Sequence, residues 1–222
     1  MNEHLIQILI DSFPKILLPG ILVTIPLTLI SFTIALIIAT FSAMAVYSNL
    51  PILKQIIRFY VWVIRGTPLL IQLYVVFFGF PKLGIIIDPF LCSVIVFSLN
   101  EGAYCSETMR SALESVPKGQ MEAGLCVGMS YFQIMKRIIL PQALRTAFPP
   151  LSNSFIGMVK DTSLAANITV MEMFMQTQRI VARTYEPLAL YIELALIYLA
   201  FSTILTKVQN YSEKRINIKT GH

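Results

Sequence analysis

The sequence predicts an all-α integral membrane protein, and three observations carry the prediction. Hydrophobic residues fill 56% of the 222 positions and charged residues only 13%, about half the charge that a soluble domain carries. Mean hydropathy is +0.72. Several apolar runs reach about 18 residues or more, each the length a helix needs to cross a bilayer. Lipid offers no partner to backbone N–H and C=O groups, so each run must be helical, whatever its Val and Ile content.

In chain order, residues 1–16 form an amphipathic lead-in, with Leu5, Ile6, Leu9, Ile10 and Phe13 spaced among polar residues. It is too short and too polar to span. Apolar runs follow at 17–47, 56–80, 89–113, 140–159 and 188–205, and a polar tail occupies 211–222. Five spans put the two chain ends on opposite sides. With the N-terminus outside, twelve of the seventeen basic residues fall on the cytoplasmic side, among them Lys54, Arg58, Arg65 and Arg110. Lys15, Lys82, Lys160, Arg179 and Arg183 remain outside. The positive-inside rule therefore favours N-out, C-in, and accounts for the net charge of +5 without nucleic acid. No basic region followed by a short apolar core and a small-residue cleavage site opens the chain, so no signal peptide is expected. Cys92, Cys105 and Cys126 are odd in number and lack metal-like spacing, so they are expected as small buried hydrophobes.

Between the third and fourth runs, Ser115 to Pro141 is too polar for lipid. It predicts a helical hairpin over 115–139. Pro117 suits the first turn of one helix and Gly128 a left-handed stop. Ser130 followed by Gln133 is a capping box that starts a second helix, continuing to a break at Pro141.

Glu122-Ala123-Gly124, then Gly128, then Ile138, Leu140 and Pro141 resemble the EAA signature of ABC importer permeases, with every spacing met. Gly124 stands where that family usually has a second alanine, a smaller residue expected to be tolerated at about 1 kcal/mol of helix propensity. The resemblance implies the type I importer permease fold, with five transmembrane helices and a cytoplasmic hairpin that couples to a separate ATPase. Glu122, Ala123, Gly124, Gly128, Leu140 and Pro141 carry the coupling. The chain contains no G-x-x-x-x-G-K-[ST] phosphate loop, so ATP and Mg would be bound by a partner and the chain itself needs no cofactor. Two copies of the ATP-binding subunit, an extracytoplasmic solute-binding protein and a second permease chain, identical or similar, are the implied partners. The bacterial cytoplasmic membrane is the implied location.

Arg65-Gly66-Thr67-Pro68-Leu69-Leu70, with Gln72 one turn on, interrupts the second run. A charge at such depth is costly unless it is paired, snorkels or faces a wet cavity. Gly66 and Pro68 weaken the helix there, as in the broken helices that expose backbone groups to a solute; the alternative is a packed kink with Arg65 on neighbouring carbonyls. This string, continuing to Phe78-Gly79-Phe80-Pro81, resembles the polar amino acid permeases that serve histidine, glutamine, arginine and cystine, the cystine type above all. The resemblance covers about residues 12–212.

Asn100, Tyr104 and Glu107 lie at i, i+4 and i+7 on one helix face. Glu107 with Arg110 also fits an internal i, i+3 ion pair, and Glu101 sits one residue off the stripe. Lys160-Asp161-Thr162-Ser163 ends the fourth run with two charges and two hydroxyls. A carboxylate with hydroxyls suits the ammonium of an amino acid, which makes Asp161 the first candidate and Glu193 a weaker one, against the reading of a polar helix terminus. Arg65, Thr67, Gln72, Asn100, Glu101, Tyr104, Glu107, Asp161, Thr162 and Ser163 thus make up the candidate substrate pathway. A secondary transporter would use such groups equally well, but it usually shows internal repeats and more spans, and leaves the hairpin without a task. A channel leaves the hairpin unexplained too. For a membrane enzyme, only His4 and His222 are available, both terminal, and no nucleophile–base or metal-ligand constellation appears.

Overall fold

The computed structural model describes residues 3–47 and 51–218, and every regular element within them is helical. Helix α1 (Glu3–Pro19) passes through a wide π-turn at Gly20–Thr24 into α2 (Ile25–Tyr47). Helix α3 (Pro51–Arg65) meets α4 (Leu69–Gly79) at a sharp bend, and a 3-10 turn, Phe80–Leu83, closes α4. Helix α5 (Pro89–Glu114) leads to the polar hairpin, α6 (Lys118–Cys126) and α7 (Tyr131–Ile134). A second π-turn, Met135–Ile139, joins α7 to α8 (Leu140–Asp161); a 3-10 segment, Thr162–Ile168, precedes α9 (Met173–Thr184), and α10 (Pro187–Ile218) ends the described chain.

Among the described residues, Glu3–Val46 and Pro187–Arg215 are long and apolar enough to cross a membrane, and Pro51–Arg65 with Leu69–Leu83 forms a third such unit bent by 101°. Helices α5 and α8, of 26 and 22 residues, are about 39 and 33 Å long at 1.5 Å per residue. They match the third and fourth apolar runs. Their weaker hydropathy has a structural cause: fourteen residues of α5 are buried, Ser93, Ser98, Asn100 and Ser106 among them, so this helix meets protein rather than lipid.

The core is the seam between α2 and α5. Without a hydrophobic drive between helices in lipid, close backbone approach through small residues does the packing. Ala35, Ala39, Ser42 and Ala43 of α2 are buried opposite Gly102, Ala103, Cys105 and Ser106 of α5. A Cβ on Gly102 would sit 2.9 Å from the Ile38 Cγ2. Ser98 Oγ donates across the seam to Ser31 O at 3.2 Å.

Three expectations are corrected. The lead-in is no separate element: α1 and α2 form one helical rod, because Ser12 and Ile16 turn inward against α9 and α10 and hold the first turns in the bundle. Met1 and Asn2, like residues 219–222 of the tail, lie outside the described residues, while 211–218 continue α10. The weak point expected at Gly66 and Pro68 is where the second run divides into the bent pair α3–α4. Pro141 does not break the hairpin's second helix. The π-turn at Met135–Ile139 widens the backbone just before it, and Pro141 then occupies the first turn of α8, where a missing N–H costs least. Finally, Cys92 and Cys105 are buried as expected but Cys126 is exposed. The helix α9 lies in a stretch for which the sequence pattern predicted no element.

Candidate functional site

The hairpin is built from local signals. Gly128 closes α6 with φ +79°, a conformation that other residues adopt only at a cost. Met129 N donates to Gly124 O at 3.0 Å and Gly128 N to Leu125 O at 3.0 Å, tying off the last carbonyls of the helix. Ser130 and Gln133 then form a reciprocal capping box, Gln133 N donating to Ser130 Oγ at 3.3 Å and Ser130 N to Gln133 Oε1 at 2.9 Å. Pro117 caps α6 from just outside its first turn. Glu122 and Ala123 are exposed on α6, whereas Gly124 is buried. A Cβ on Gly124 would lie 2.7 Å from the Cγ1 and 2.8 Å from the Cδ1 of Ile134, itself fully buried. The glycine that departs from the EAA signature is thus matched to a large neighbour on α7, a contact that sequence spacing did not reveal. Leu140 packs partly buried against the cluster that holds Ile134, and Pro141 is exposed.

At the α3–α4 bend, Gly66 N still reaches Trp62 O at 3.0 Å, and Pro68 opens the next helix in extended conformation. Carbonyls freed by the break are taken up by one side chain. Gln72 Nε2 donates to Ile64 O at 2.7 Å, Thr67 O at 3.1 Å and Thr67 Oγ1 at 2.8 Å, while its Oε1 accepts from Asn100 Nδ2 at 3.0 Å. Thr67, Gln72 and Asn100 are therefore committed to holding the bend against α5. They do not point polar groups into open space.

Arg65, at the same bend, stacks its guanidinium over the Tyr104 ring, 5.2 Å from its centroid, a favourable cation–π placement. Arg65, Tyr104 and Glu107 share a cavity of about 540 Å³ with Thr108, Thr146 and Ser154. Glu107 also accepts from Arg110 Nη2 at 2.9 Å, and Arg110 Nη1 reaches Glu114 at 2.7 Å, so the internal ion pair exists and the carboxylate of Glu107 still lines the cavity. Glu101 accepts from Cys105 Sγ at 3.4 Å and interacts with Ser154 and, repulsively, with Asp161.

The end of α8 is less uniform than its polar string suggests. Asp161 is exposed and caps nothing with its side chain. Thr162 is buried and donates to Val159 O at 2.7 Å, which removes it from solvent; Ser163 is half-buried. None of the three lines the Arg65 cavity. Glu193 is taken up by Ser12, whose Oγ donates at 2.5 Å.

Sequence reading passed over Glu172, which is fully buried. It caps α9 by accepting from Met175 N at 2.7 Å, and Tyr198 Oη of α10 donates to it at 3.2 Å. Burial pushes its carboxyl, which lies in the connection between the fourth and fifth spans, up to about 7. The available signal was a lone acid within the apolar stretch around Met171 and Met173.

Comparison with known proteins identifies the family and the fold. Residues 35–218 match the family described as binding-protein-dependent transport system inner membrane component. The L-cystine transport system permease protein TcyB of Bacillus subtilis is 48% identical, covering 93% of this chain and 89% of that protein. The L-cystine permease TcyL of the same organism is 37% identical over 89% of this chain and 87% of its own. A crystal structure of an amino acid ABC transporter with histidines superposes with a TM-score of 0.89 at 30% identity, covering 97% of this chain and 100% of that one. The inward-facing MetNI methionine transporter, at 16% identity and a TM-score of 0.70, shares the fold. A bent pair braced by Gln72, a polar cavity behind it and a capped hairpin thus occur in a chain that belongs to the binding-protein-dependent inner membrane components, as the permease of an amino acid ABC importer.

Proposed function

We propose that the chain imports cystine, coupled through residues 115–139 to a separate ATPase. The observation that carries this reading is the 48% identity to an L-cystine permease over 93% of the chain. The polar lining supports it. Cystine carries two ammonium and two carboxylate groups, and the bundle offers cations and anions at separate positions: Arg65 for a carboxylate, Glu101 and Asp161 for ammonium groups. Glu107 and Tyr104 complete the wall beside Arg65, with Ser163 near the outer end, while Thr67, Gln72, Asn100 and Thr162 act by shaping the backbone.

Two ATP-binding subunits, which hold the ATP and Mg, engage the exposed Glu122–Ala123 face, and a solute-binding protein delivers cargo from outside. A second permease chain completes the pathway. The orientation is N-out, C-in: Lys54, Arg58, Glu114 and the hairpin gather at one end of the bundle, and the positive-inside rule assigns that end to the cytosol. Closure of the ATPase pair pushes on the hairpin, and the continuous α7–α8 path passes the motion to the cavity wall.

The test is uptake of labelled cystine, arginine, glutamine and histidine by proteoliposomes holding the permease, its ATPase and its binding protein. Cystine should be preferred, and Asp161→Asn should lower cystine uptake and substrate-stimulated ATPase activity at least tenfold. Preference for another of these amino acids would overturn the cargo; uptake that persists without the ATPase would overturn the coupling.

A further inference from the structure

Lys54, Arg58 and Arg65 recur at i, i+4 and i+11 on one face of α3, and the first two look onto a cavity of about 460 Å³ between α3 and the end of α5, bounded also by Val46. The α5 wall supplies Glu107, Arg110 and Glu114. Both carboxylates are already engaged by Arg110, at 2.9 and 2.7 Å. Lys54 and Arg58 have no ion-pair partner among the described residues, so the cavity holds three cations against two anions. The two unpaired cations lie about 6 Å apart along the helix axis, a separation that their long side chains close around one tetrahedral anion.

The same helix turns an unusual set of apolar side chains outward: Ile52, Ile56, Phe59 and Trp62, the last 72% exposed. Basic residues on one face of an amphipathic helix, an apolar face on the other and Trp62 between them suit the boundary between headgroups and acyl chains. The cavity stands at the level where α2 ends, on the hairpin side of the bundle.

We propose that Lys54 and Arg58 bind the phosphate of an anionic phospholipid from the leaflet on the hairpin side, with its acyl chains running past Trp62 toward Phe59. Each cation near an anionic surface contributes about fivefold in affinity, about thirtyfold together. The site is independent of the cargo and of the coupling claim.

Trp62 is the single tryptophan of the chain, which gives a direct readout. The full-length permease is placed in phosphatidylcholine vesicles containing a small fraction of doxyl-labelled phosphatidylglycerol or doxyl-labelled phosphatidylcholine. Quenching of Trp62 should be several-fold stronger with the anionic label, and glycerol phosphate added in solution should not compete. Lys54→Gln with Arg58→Gln should abolish the preference, whereas the charge-preserving exchange Lys54→Arg with Arg58→Lys should keep it. Equal quenching by the two labels in the unaltered chain overturns the proposal. So does competition by glycerol phosphate, which would make this a site for small soluble anions. Loss of ATPase-subunit binding in the double glutamine variant, with lipid preference intact, would assign the surface to that subunit instead.

Discussion

Restoring the alanine of the EAA signature, by Gly124→Ala, sets two effects against each other. Alanine gains about 1 kcal/mol of helix propensity over glycine. Its methyl, however, would stand 2.7 and 2.8 Å from two carbons of Ile134, a side chain with no exposed surface in which to retreat. Overpacking of that kind costs about 1–3 kcal/mol, so the net expectation is a loss of up to about 2 kcal/mol, or several degrees in the unfolding midpoint at about 2–4 °C per kcal/mol. Ile134→Ala alone should cost about 2–5 kcal/mol through the cavity it leaves. In that background the added methyl fills space instead of competing for it, and Gly124→Ala should become stabilising. Thermal unfolding of the four proteins in detergent closes a double-mutant cycle, with an expected coupling of about 1–3 kcal/mol. Additive effects in this cycle would refute the view that Gly124 and Ile134 are a matched pair.

Gln72→Leu leaves the Ile64 and Thr67 carbonyls and the Asn100 amide without their partner; a loss of about 1–3 kcal/mol is expected, visible as a lowered unfolding midpoint together with reduced uptake, and unchanged values would show that the bend needs no brace. Gly128→Val places a β-branched residue at φ +79° and should cost about 1–2 kcal/mol locally, read as ATPase activity uncoupled from transport while the ATPase alone is normal. Glu172, raised from the usual carboxylate range to about 7 by burial, binds its proton more tightly folded than unfolded. Its contribution to stability is therefore full below about 4.5 and is lost as pH rises through about 7. Glu172→Gln should flatten the fall in unfolding midpoint between those pH values, and a fall as steep as the parent's would assign it to other groups.

Local patterns with local causes were legible without coordinates. Gly128 and the Ser130–Gln133 box fix the hairpin through neighbours at most five residues away, so spacing suffices to find them. The Glu107–Arg110 pair is legible for the same reason. The candidate pathway residues were legible as polar groups in apolar runs but not by what each one contacts. That Gln72, Thr67 and Asn100 repair a broken helix and do not line the cavity depends on the 101° bend, whose direction no periodicity encodes. Glu172 and Glu193 look alike as lone acids near apolar runs; only the packing of α1 and α10 gives one to Ser12 and the other to Tyr198.

Composition and apolar run length by themselves determined that this is a helical membrane protein, because lipid penalises every unpaired backbone group and leaves one solution for each run. Motif spacing marked the hairpin and carried the resemblance to the family. Tertiary structure alone decided that the lead-in and first span are one rod, that the backbone widens into a π-turn ahead of Pro141, and that Gly124 answers to Ile134. These depend on contacts between segments distant in sequence or on the relative rotation of helices. Such relations are set by packing, where a methyl group's width decides what fits.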